Sequence, residues 1–145
     1  MTVDPRTLGW LTRALNHEMS AVQQYLAQSV LARLWGDHEL AGHLRAEALE
    51  ELEHAERLME PLIRAGIAPS AGVLAPARLG REVADLLVAD QRLEMDAVRL
   101  YQEAVAHAVR MRDGASASLM EGLLNEELAH VQYLDGMMAK SAGHE

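Results

Sequence analysis

Six residues stand out by type and spacing. Glu51 is followed three positions later by His54, and Glu127 by His130. On a helix such a pair brings an oxygen and a nitrogen to one face, one turn apart, as two ligands of one metal ion must be. Each pair is preceded by a lone glutamate, Glu18 or Glu94. The two sets share an offset of 76 positions, the difference between 94 and 18 and again between 127 and 51. Their surroundings repeat as well. Glu18-Met19-Ser20-Ala21-Val22-Gln23-Gln24-Tyr25 aligns with Glu94-Met95-Asp96-Ala97-Val98-Arg99-Leu100-Tyr101, and Glu50-Glu51-Leu52-Glu53-His54 with Glu126-Glu127-Leu128-Ala129-His130. One short match arises readily by chance; two in register mark a duplicated helical hairpin.

Four helices must carry these residues. Asp4-Pro5 is an N-cap followed by a proline at the first helical position, opening a helix that runs to Gly36. Asp37 caps a second helix ending near Gly66, where Pro61 should kink the last turns. Between Gly66 and Gly80, Pro69, Gly72 and Pro76 break any element, so this stretch is a long connection. A third helix spans about Arg81 to Met111, the Asp113-Gly114 turn follows, and a fourth runs from about Ser116 to Lys140. Short joins make two antiparallel pairs and the long connection joins them. The predicted fold class is all-α, a four-helix bundle with one long crossover between helices 2 and 3.

The apolar stripe of each helix passes through an ionisable residue at mid-height. These stripes run Leu8, Leu11, Leu15, Glu18, Val22, Tyr25; Leu40, Leu44, Glu47, Glu51, His54, Leu58, Leu62; Val83, Leu87, Asp90, Glu94, Ala97, Tyr101; and Met120, Leu123, Glu127, His130, Leu134, Met137. Four buried carboxylates lose several kcal/mol of solvation each and repel one another. Two divalent cations balance the charge of Glu18, Glu51, Glu94 and Glu127, with His54 and His130 as neutral nitrogen ligands.

The whole-chain numbers fit that reading. At 145 residues, 50% of them hydrophobic and 3% aromatic, residues 1–145 are expected to form a single domain. The absence of cysteine excludes disulfides, thiolate-ligated zinc, iron–sulfur clusters and thiol catalysis. A formal charge of -9 argues against a nucleic-acid partner. With neither a signal sequence nor a membrane span legible, a soluble, cytoplasmic protein without a membrane partner is expected.

A glutamate from each of two helices plus Glu-x-x-His from each of the other two is the ligand set of ferritin-like di-iron proteins. Within that group the chain resembles the bacterioferritins over essentially its whole length, through the paired Glu-x-x-His motifs, Tyr25, Trp35-Gly36 and the long connection. The resemblance implies that Glu51 and Glu127 bridge two irons, with Glu18 and His54 completing one site and Glu94 and His130 the other. It implies a ferroxidase that oxidises Fe(II) with dioxygen or peroxide and stores the Fe(III) mineral in a homo-oligomeric cage, a dodecamer or 24-mer. An iron-releasing reductase is the implied partner. Tyr25 and Tyr101, seven residues after Glu18 and Glu94, hydrogen-bond the carboxylates, donate an electron or simply pack. Asp90 and Glu47, one turn before Glu94 and Glu51, are candidate supporting carboxylates.

Several positions depart from the family pattern. Leu52 stands where the family places its haem-ligating methionine, which puts haem in doubt, and the nearby Met19 and Met59 are read as packing residues. Ala46 and Glu50 occupy positions of an auxiliary inner-surface iron site, which looks weakened, and Tyr133 stands where the family has a tryptophan electron donor. The tail Ser141-Ala142-Gly143-His144-Glu145 shows no helical stripe, so the family's short fifth helix is not expected. His17, His38, His43, His107 and His144 lack a partner at ligand spacing and are expected on the surface. Two alternatives stay open: a rubrerythrin-like di-iron peroxidase, and a helical shell or interaction protein with a structural di-metal site.

Overall fold

The computed structural model describes residues 3–142, which form four helices and no strand. They divide into two compact units, Met1–Leu79 and Gly80–Glu145.

In the first unit α1 spans Pro5–Leu34 and α2 spans His38–Arg64. Asp4 accepts hydrogen bonds from the backbone N–H groups of Arg6 and Thr7, satisfying donors that the first helical turn leaves free. Trp35 and Gly36 turn the chain, with Gly36 at φ +83, a left-handed value that suits glycine. Asp37 then accepts from the N–H of Leu40 to start α2. Ser29 donates to the carbonyl of Ala41 near the join, and Glu18 lies beside His54 farther along, so α2 returns along α1. Pro61 sits inside α2, which continues to Arg64 before Gly66 at φ +81 ends it.

The connection after α2 is strapped along α1. Asn16 Nδ2 donates to the carbonyls of Ala71 and Val73 at 2.6 and 2.8 Å. Gln23 donates to the carbonyl of Ala75 at 2.9 Å and Gln28 to that of Arg78 at 3.0 Å. In return the N–H of Ala75 reaches Ser20 Oγ and that of Arg78 reaches Gln24 Oε1. Extended backbone with no ladder partner thus finds its hydrogen bonds in a polar stripe of α1.

In the second unit α3 spans Val83–Arg110 and α4 spans Gly114–Ala142. The Asp85 carboxylate accepts from the N–H groups of Arg81 and Glu82 and so fixes the start of α3 two residues beyond the expected Arg81. A Cβ at Gly80 would collide with the Asp85 side chain, so only glycine fits this approach. Arg112 takes a left-handed φ of 56, and Asp113 caps α4 by accepting from the N–H and hydroxyl of Ser116. The fourth helix therefore begins at Gly114, not Ser116, and runs through Ser141 and Ala142, part of the tail expected to lack helix; residues 143–145 lie outside the described residues. Gln91 bonds Asp135, and Glu94 lies beside His130, so α4 returns along α3.

Most stripe residues of both units are buried, among them Leu11, Leu15, Leu58, Leu62, Leu87, Ala97, Met120, Leu123 and Leu134. Leu8, Val22, Leu40, Val83 and Met137 are half-buried. No helix among the described residues is long and apolar enough to cross a membrane.

Candidate metal centre

The ligand candidates occupy the apolar stripes as the helical period requires. Glu18 and Glu127 are 0% exposed, Glu51 and Glu94 1%, and His54 2%. His130 is less enclosed, with 13% of its side chain accessible against 3% for His54.

Each unit assembles one triad from its two helices. In the first, His54 Nδ1 lies 3.4 Å from Glu18 Oε2 and 3.5 Å from Glu51 Oε2. In the second, His130 Nδ1 lies 3.6 Å from Glu94 Oε2 and 3.8 Å from Glu127 Oε2. Every residue of either triad offers a ligand atom within 4.8 Å of those of the other two. These separations exceed an ordinary hydrogen bond but approach the ~3.4 Å between two ligand atoms held tetrahedrally at ~2.1 Å from one ion. Two carboxylates and an imidazole per triad form a mixed oxygen and nitrogen donor set that suits divalent iron, manganese or zinc.

Burial pushes the Glu94 carboxyl well above the usual carboxylate range; a hydrogen bond with Glu127 pushes the same way and His130 partly opposes it. In the metal-free protein this carboxyl tends to hold a proton. A divalent cation would displace that proton and supply the missing positive charge, so the residues present fit a metal.

Tyr25 and Tyr101 are buried on α1 and α3, on the same stripes as Glu18 and Glu94. Asp90 is buried on α3, whereas Glu47 on α2 is half-buried with His43 Nε2 3.8 Å from its carboxylate. Tyr133 is exposed, as are Ala46 and Glu50, and Met19 and Met59 are half-buried. The histidines expected on the surface divide. His38 is exposed and His17 and His43 half-buried, while His144 lies outside the described residues. His107 is buried, a correction to the surface expectation: it lies between Ala104 and Ala108 on the flank of the α3 stripe, which is wider than one residue per turn. The strap anchors Asn16, Ser20, Gln23, Gln24 and Gln28 are what ligand spacing does not reveal. The signal available was a polar series at three- and four-residue steps beside the Glu18 stripe.

Known proteins with this pattern can now be compared. The ferritin-like domain model matches residues 10–142. Bacterioferritins of Brucella melitensis and Mycobacterium tuberculosis are 33% and 30% identical over 135 residues, which is 93% of this chain and 84% and 85% of theirs. The chain belongs to the ferritin-like family, among the bacterioferritins. A crystal structure of Rhodobacter capsulatus bacterioferritin, described with a metal-free dinuclear site and haem iron, superposes with a TM-score of 0.92 at 29% identity. It covers 96% of this chain and 87% of that one, which assigns the all-α, ferritin-like four-helix bundle with a long loop between α2 and α3. At the expected haem-ligand position this bacterioferritin-like chain has Leu52, 38% exposed on α2. Its buried Glu/His clusters are compatible with a dinuclear metal site.

Proposed function

We propose that this protein is a ferroxidase that detoxifies and stores iron. The observation that carries the reading is the duplicated, buried Glu–Glu–His triad: two copies of one ligand set, each on its own hairpin, at one sequence offset. A single Glu-x-x-His on a helix supports no such conclusion; a matched pair in a bacterioferritin relative does.

In this reading the triads are two halves of one di-iron centre, and residues 1–145 act as one domain because neither hairpin holds the full ligand set. Glu18 and His54 would hold one iron and Glu94 and His130 the other, with Glu51 and Glu127 shared between the two. The iron pair, when bound, supplies two electrons to dioxygen or peroxide as Fe(II) becomes Fe(III). The protein's part is to bind two Fe(II) ions at fixed separation, to replace their hydration by carboxylates whose negative charge favours Fe(III), and to exclude bulk water. Tyr25, two helical turns from Glu18, serves as an electron donor. The Fe(III) product collects as mineral inside a homo-oligomeric cage of 12 or 24 copies, from which a reductase releases it. Leucine offers no ligand atom at position 52, so the ferroxidase reading is built without haem and a Soret band in the purified protein would show another ligand.

Glu18→Ala and His54→Ala test the assignment. Each removes a ligand and should abolish rapid Fe(II) oxidation in stopped-flow absorbance; unchanged kinetics in both would overturn it. Iron per subunit together with particle mass after aerobic loading separates storage from turnover. Many irons per subunit in a large particle support storage. Retention of two, with fast peroxide consumption, points to a rubrerythrin-like peroxidase; firm retention of two with neither points to a structural metal.

A further inference from the structure

The joins inside the two hairpins are built alike, bond for bond. The N–H groups of Trp35, Gly36 and Asp37 donate to the carbonyls of Leu31, Arg33 and Ala32 at 3.0, 2.9 and 2.9 Å. Those of Met111, Arg112 and Asp113 donate to His107, Val109 and Ala108 at 3.0, 3.0 and 2.9 Å, every partner displaced by the 76 positions of the repeat. Both joins pass through the left-handed region, at φ +83 and φ 56, and an aspartate caps the helix that follows each. The residue at that position is glycine in the first join and arginine in the second. A Cβ crowds the backbone there, and only a few per cent of non-glycine residues adopt it. Arg112 therefore does nothing for the turn that Gly36 does not do with less strain. The Arg112 side chain is exposed, as is that of Arg110, and neither makes a hydrogen bond or ion pair among the described residues. The adjacent carboxylate, Asp113, is taken up by the N–H and hydroxyl of Ser116. Val109 and Met111 are 61% and 45% exposed beside the two arginines. The second join thus presents uncompensated positive charge and apolar surface together, on a chain of net charge -9.

We propose that the join between α3 and α4 docks, through Arg110 and Arg112, onto a carboxylate-bearing surface of a second copy of this chain. This rests on the oligomeric reading above and specifies one of its contacts. Copies that each carry -9 repel one another at long range, and a basic patch set against outer carboxylates opposes that repulsion. Set against itself across a twofold axis, the patch would place guanidinium against guanidinium. The contact is therefore head to tail, the kind that extends a pair of subunits into a closed ring or shell. Arg112 is kept for its charge at that contact, in spite of the turn.

The test is particle mass, by light scattering and native mass spectrometry, of the full-length protein over a dilution series at low and high salt. Wild type should form a particle larger than a dimer, and the protein concentration needed for half-assembly should rise with salt as the charges are screened. Arg112→Gly and Arg110→Ala should each raise that concentration by about tenfold, with helical circular dichroism unchanged. Arg112→Lys keeps the charge and the strain, so it should assemble more readily than Arg112→Gly. The proposal is overturned by wild-type assembly of Arg112→Gly, by Arg112→Lys assembling no better than Arg112→Gly, or by assembly indifferent to salt. Loss of helical signal in Arg112→Gly overturns it too, because the arginine would then serve the turn. A wild type no larger than a dimer under every condition defeats the cage reading itself, whereas a large wild-type particle that Arg112→Gly leaves unchanged defeats this inference alone.

Discussion

Replacing Glu94 by glutamine should stabilise the metal-free protein while destroying its metal site. The Glu94 carboxyl is 1% exposed, and burial, reinforced by Glu127, raises its pKa in the folded state. A group with a raised folded pKa binds more protons folded than unfolded, so stability falls as pH rises above the unfolded value. The full penalty is reached once pH passes the folded pKa. Holding a carboxyl of unfolded pKa ~4.3 protonated at pH 7 costs at most about 4 kcal/mol, and at pH 5 about 1 kcal/mol. Glutamine has the same shape and no charge, so it relieves this cost. Urea unfolding of chelator-treated protein should show Glu94→Gln more stable by about 1–4 kcal/mol at pH 7, a gain in melting temperature of about 2–16 °C at ~2–4 °C per kcal/mol. The advantage should shrink to about 1 kcal/mol or less at pH 5. A variant less stable than wild type at pH 7, or an advantage that does not change with pH, would refute the reasoning, because either result means that Glu94 is held ionised by favourable partners.

Three further outcomes follow from the geometry. Co(II) titration should reach two ions per subunit with d–d absorption of mixed oxygen and nitrogen ligation, and Glu127→Ala should bind at most one tightly; undiminished binding by that variant would contradict the ligand set. Asn16→Ala removes two strap bonds to carbonyls that water can partly reclaim, so a loss of about 1–2 kcal/mol in urea unfolding and faster amide exchange at Ala75 are expected. Gly80→Ala should cost about 1–3 kcal/mol through collision with the Asp85 side chain, and a melting temperature equal to wild type would show that the start of α3 shifts freely.

The burial of the candidate ligand residues was legible because chemistry and periodicity coincide at them. A glutamate that falls on an apolar stripe is conspicuous, and a duplicated one more so. The ends of α1 and α2 were legible to within about two residues from Asp4-Pro5, Asp37 and the two positive-φ glycines. The start of α4 was legible to the same margin, Gly114 against the expected Ser116, the difference arising because Asp113-Gly114 reads as a turn. Only the hydrogen bonds from Ser116 show Asp113 capping a helix that begins one residue later. The strap was invisible for a different reason. Its partners are backbone groups, which every residue carries, so no side-chain pattern in 71–78 announces them. Ligand spacing says nothing about the exposure of His107, which follows from helical phase and buries it.

All six strap bonds described here end on main-chain atoms of the connection and begin or are received by side chains of α1. The two partners therefore evolve under unequal rules. Apart from Gly72, whose left-handed φ of 71 favours glycine, residues 71–78 can be rewritten with little effect so long as the backbone keeps its path, while Asn16, Ser20, Gln23, Gln24 and Gln28 are tied to the helix that carries Glu18 and Tyr25. For protein engineering the connection is accordingly a place to graft foreign sequence, tags or short binding peptides, with the polar flank of α1 left untouched as the socket that receives them.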